Sequence, residues 1–111
     1  MNLRFPLVLA LLAACVLGAA PASAQETYTI VIKNHLMSPA ELEVPAGKKI
    51  KLLVDNQDPT PEEFESHSLN REKVIPGNSK AIIFIGPLKP GSYEFFGEFH
   101  QSTAQGRIVA K

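Results

Sequence analysis

The chain is 111 residues long, carries eleven Lys and Arg against eleven Asp and Glu, and contains a single cysteine. A balance of that kind supplies no basic stripe for nucleic acid and no one-signed surface for an anionic membrane. One cysteine also excludes an intrachain disulfide framework.

The N-terminus predicts export. Arg4 precedes an apolar run from Leu7 to Leu17, and "APASAQ" follows with small residues at Ala22 and Ala24. This is the layout of a secretory signal over residues 1–24, cleaved before Gln25, and it implies a periplasmic location. The run is shorter than the roughly 20 apolar residues that cross a bilayer. "LAAC", Leu12 to Cys15, resembles a lipoprotein processing box, so lipidation at Cys15 stands as a second outcome. Either way the mature segment 25–111 has no thiolate to offer a metal, and it is long enough for one small domain with one core.

Within it the punctuation is that of an all-β domain. "TYTIVIKN" alternates Tyr28, Ile30 and Ile32 against Thr29, Val31 and Lys33, and "KKIKLLVDN" puts Ile50, Leu52 and Val54 on one face. "KAIIFIG" reads as a continuous apolar strand, "GSYEFF" pairs Tyr93 with Phe95, and a last strand covers Arg107 to Ala110. "SPAELEVPAG", "IPGNS" and "GPLKPG" read as turns. In "TPEEF", Thr60, Pro61 and Glu63 have the spacing of a helix cap, which predicts one short helical turn. Short strands that each hide one face pack as two sheets.

The chemistry lies in the histidines. "ESH" holds Glu65 and His67, "EFH" holds Glu98 and His100, and residues two apart on a strand face the same way. If the two strand ends are neighbours, two imidazoles and two carboxylates converge, a donor set suited to divalent copper, iron or zinc, with copper bound tightest. Each pair taken alone is equally the pattern of a surface ion pair. His35, in "NHLMSP", is a further candidate ligand or a loop-edge residue, and Met37 beside it reads as core. Asp55, Asp58, Glu62, Glu63 and Glu65 fall within eleven residues free of Lys and Arg, either a solvated acidic loop or a rim where a cation docks. No phosphate-binding glycine loop and no cysteine nucleophile are present.

These segments resemble the cupredoxins over nearly the whole mature length. "NHLMSPAELEVPAGKKIKLLVDNQD" is similar to that family's opening strands, and "PGSYEFFGEFHQSTAQGRIVAK" to its final strand pair with the ligand loop. The resemblance implies a Greek-key β-sandwich. It carries over His67 and His100 as metal ligands and lays Gly97 and Gln105 where the family commonly has Cys and Met. Without the thiolate the expected centre is Cu(II) or iron bound by nitrogen and oxygen rather than blue copper. Glu98 and Glu65 are then the expected oxygen donors, with Glu63 in reserve, and Gly97 leaves an open position. "TPEEFESHSLNREKVIPGNSK" further resembles periplasmic cupredoxin-like proteins that accompany ferrous iron permeases. That likeness implies a membrane iron permease and its periplasmic components as partners, and a ferroxidase-like oxidation of Fe(II). A copper carrier without catalysis and a metal-free interaction module are the alternatives.

Overall fold

The computed structural model describes residues 25–111; the export signal and the Cys15 lipidation site predicted above lie outside the described residues. Nine strands follow in chain order: β1 (Thr27–Lys33), β2 (Leu36–Ser38), β3 (Glu41–Val44), β4 (Ile50–Asn56), β5 (Glu62–Ser66), β6 (Arg71–Ile75), β7 (Ser79–Ile85), β8 (Gly91–Gly97) and β9 (Gln105–Ala110). They form a four-stranded sheet, β2-β1-β4-β7, and a five-stranded sheet, β3-β9-β8-β5-β6. The β-sandwich expected from the sequence is therefore the observed architecture.

Alternation decides which residues fill the space between the sheets. Ile30 and Ile32 of β1, Ile50, Leu52 and Val54 of β4, Phe64 of β5 and Phe95 of β8 are all buried, with Met37 in the same cluster. The Phe64 and Phe95 rings pack with centroids 5.4 Å apart at the middle of this core. "KAIIFIG" departs from expectation: Ile83 and Ile85 are buried, but Ile82 and Phe84 are about half exposed. β7 is an edge strand, so its continuous apolar run covers one inner face and one outer face.

The predicted helical turn at Thr60–Glu63 is absent. Glu62 and Glu63 instead open β5, paired with Ile75 and Val74 of β6, because ladder bonds on both sides of β5 outweigh a single capping turn. The one helical turn described is a 3-10 turn, Glu98–His100, directly after β8.

β1 and β4 run parallel, so both end at the same pole of the sandwich. β5 starts and β8 stops at that pole, because β5 lies antiparallel to β8 with Phe64 opposite Gly97.

Candidate metal centre

Three segments bring donors to this pole. The turn between β1 and β2 carries His35, the first residue of β5 is Glu62, and the 3-10 turn ends in His100. One ligand atom from each lies within 4.8 Å of the other two.

Each donor is held by its own scaffold. Asn34 and His35 both adopt left-handed backbone, φ 53° and 58°, which costs a non-glycine residue about 1–2 kcal/mol. The Asp58 carboxylate offsets that cost by accepting the Asn34 N–H at 2.7 Å and the His35 N–H at 3.0 Å. Asp58 in turn is fixed by its own N–H, which donates to Asn56 Oδ1, and Asn56 is fully buried with Nδ2 donating to Thr60 O and Ile75 O. Burial pushes the Asp58 carboxyl upward. The two backbone N–H bonds, with His35 and His100 nearby, prevail and hold it below its ordinary value.

Glu62 is 1% exposed. Its Oε1 accepts the N–H groups of Glu63 and Phe99, and its Oε2 faces His100 Nδ1 at 2.5 Å. The His100 ring then stacks on His35, centroids 3.6 Å apart and planes 15° from parallel. The 3-10 turn is tied to β9 by the Ala104 N–H donating to His100 O and the Gly97 N–H donating to Ala104 O. Among the described residues no Lys or Arg pairs with Glu62. The carboxylate's company is two imidazoles, a donor set that fits a divalent transition metal.

The residues named from sequence divide into two places. His100 and His35 meet here. His67 does not join them: it lies past the far end of β5, its Nδ1 3.6 Å from Glu65 Oε1 and its ring tilted against Phe96. The reason is strand direction. Antiparallel neighbours finish at opposite ends, so the histidine following β5 sits three residues, roughly 10 Å at a strand's rise, beyond the level of Gly97, while His100 extends the other way. Glu65 and Glu63 face the outer side of the five-stranded sheet, where with Glu72 they form a second carboxylate cluster within 4.8 Å. A hydrogen bond shared with Glu72, followed by burial and by repulsion from Glu72, Glu65 and Glu98, pushes the Glu63 carboxyl up to about 7. Glu98 is exposed, and its charge reaches the Glu63 carboxyl. Glu62 was not among the expected ligands. The sequence marked only an open position at Gly97, and the structure fills that space with the Glu62 carboxylate from another strand.

A family model described as "Cupredoxin-like domain" matches residues 6–110. An uncharacterised protein of Rickettsia prowazekii (strain Madrid E) is 52% identical over 80 residues, which are 72% of this chain and 64% of the relative, just under two thirds of its length. Among solved structures, auracyanin A, a "blue" copper protein of Chloroflexus aurantiacus, superposes with a TM-score of 0.68 at 15% identity over 79% of this chain and 100% of its own. Amicyanin of Paracoccus versutus gives 0.58 at 16% identity over 85% and 87%. A purple cupredoxin of Nitrosopumilus maritimus gives 0.55 at 24% identity over 76% and 99%.

Proposed function

The chain belongs to the cupredoxin-like domain family, and on that footing we propose that it is an exported metal-binding protein whose copper is held by His35, Glu62 and His100. The observation that carries the reading is the convergence of two imidazoles and a buried carboxylate from three separate segments. Copper bound there supplies a one-electron acceptor for a reductant such as Fe(II). Nitrogen and oxygen donors of this kind favour the oxidised ion, and the described residues include no cysteine to favour Cu(I).

What the residues do follows from their fixing. Glu62 stays aimed at His100 because two backbone N–H groups hold its other oxygen. Imidazole and carboxylate ligands bind a metal in their deprotonated forms, so copper held by these residues would bind more tightly as pH rises. The His35 side chain is 44% exposed and that of His100 29%, which opens the centre to a docking partner and lets electrons or ions pass without a deep channel.

The finer reading is service to iron uptake: oxidation of Fe(II), or its delivery, at a membrane iron permease, with residues 1–24 as the export signal. Its support is the likeness of "TPEEFESHSLNREKVIPGNSK" to permease-associated proteins and the carboxylates of Glu63, Glu65 and Glu72 on the outer face next to Glu62. Turnover requires a further electron acceptor, dioxygen or a membrane carrier.

Calorimetric titration with Cu(II) tests the centre. His35→Ala and His100→Ala are expected to weaken binding by about 100-fold or more, beyond the ~10–100-fold cost of an outer-shell change, and His67→Ala to leave the tight site intact. Unchanged binding in all three variants would place the copper outside this centre and overturn the reading, and absence of binding in the wild type would leave the metal-free interaction module. Anaerobic mixing of Cu(II)-loaded protein with Fe(II) tests the redox role: the Cu(II) spin-resonance signal is expected to bleach. Its persistence reduces the protein to a carrier, the role that the surface-open histidines also suit.

A further inference from the structure

Gly97 ends β8 with φ −91° and ψ 112°. That is ordinary extended backbone which any residue adopts, so no dihedral calls for glycine here. The demand is for space. A Cβ at position 97 would stand 2.6 Å from Cδ and 2.9 Å from Oε1 of Glu62, and 2.8 Å from Cβ of Ala104. Glu62 is 1% exposed and Ala104 fully buried, so neither yields into solvent. Glu62 is also the less free to turn away, because leaving would strip acceptors from the N–H groups of Glu63 and Phe99 and from His100.

We infer that Gly97 is the residue that determines the donor type at the metal centre: side chains at positions 97 and 62 compete for one volume, and glycine cedes it to the carboxylate. The anionic donor beside His100 therefore arrives from β5, across the ladder, rather than from β8 itself. A hard oxygen in that volume selects for Cu(II) over Cu(I). The selectivity half of this inference rests on the metal reading above; the packing half does not.

Thermal unfolding of the metal-free wild type, Gly97→Ala, Glu62→Ala and the double variant separates the two halves. The drop caused by Gly97→Ala is expected to be several degrees smaller in the Glu62→Ala background, since the part owed to Ala104 is common to both. Equal drops overturn the inference. So does failure of the double variant to fold alongside Gly97→Ala, because something other than Glu62 would then close the space; a double variant that folds where Gly97→Ala does not supports it. Competition titrations read selectivity. Gly97→Ala and Glu62→Ala are each expected to lower Cu(II) affinity at least about tenfold with Cu(I) affinity held within about threefold, which raises the copper potential by about 59 mV for each tenfold difference. The double variant is expected to bind Cu(II) no more weakly than Glu62→Ala. Coupled stabilities with unaltered Cu(II) affinity would overturn the selectivity role and the metal reading, and leave the packing exclusion standing.

Discussion

Asp58 decides where His35 stands. Two consecutive left-handed residues are held open by one carboxylate, and hydrogen bonds to a charged group contribute about 1.5–3 kcal/mol each. Asp58→Ala is expected to destabilise the protein by about 2 kcal/mol or more and to loosen the His35 ring from His100, seen as loss of one nitrogen coupling in the Cu(II) spin-resonance spectrum. Because the folded-state carboxyl sits below its ordinary 3.8, its stabilisation is present above that value and is lost as pH falls through the folded-state pKa. The stability gap between wild type and Asp58→Ala should therefore close in acid. Glu63 has the opposite sign. Its carboxyl, ordinarily at 4.5, is raised to about 7, so its contribution is intact below 4.5 and is lost as pH rises through 7. Denaturation midpoints of Glu63→Gln are expected to gain on wild type across that window and to stay level above it.

At the level of elements, what could be read from the chain was period-two alternation, together with the apolar run of β7 and the last strand, β9. Ile30 and Ile32, Ile50, Leu52 and Val54, and Tyr93 with Phe95 announced β1, β4 and β8, and the structure buries all of them but Tyr93, which is partly covered. β2, β3 and β6 escaped because "LMS", "ELEV" and "REKVI" are short or almost wholly exposed, so their side chains carry no burial pattern. His35 and His100 were legible as candidates from their type. Their partnership with Glu62 was not, since it depends on which end of β5 lies beside the end of β8, and pairing between residues 38 apart in the chain leaves no local trace. The loops carry a test of their own. A Cβ on Gly77 would overlap the Pro59 carbonyl, and a backbone atom cannot step aside as a side chain can. Gly77→Ala is expected to cost about 1–3 kcal/mol, measured by urea denaturation, through separation of the β6–β7 turn from the β4–β5 loop that carries Asp58.

Considered whole, the sandwich and the proposed copper would be linked by mass action. A ligand present at 100 times its dissociation constant stabilises the folded form by about 2.7 kcal/mol, and each kcal/mol moves the midpoint of a domain this small by roughly 4–8 °C. Cu(II) is thus expected to raise the melting temperature of wild type and of His67→Ala by about 10–20 °C and to leave His100→Ala nearly unmoved, as scanning calorimetry would record. The order of assembly matters as well. β9 pairs with β3 in parallel and with β8 antiparallel, and the 3-10 turn bearing His100 leans on Ala104 just before it. In a chain made from its N-terminus, His35, Glu62 and His100 consequently do not stand together until β9 has docked. On the proposed reading, the cations that surround the protein at that late moment, and not those met earlier in its synthesis, would have first claim on the three donors.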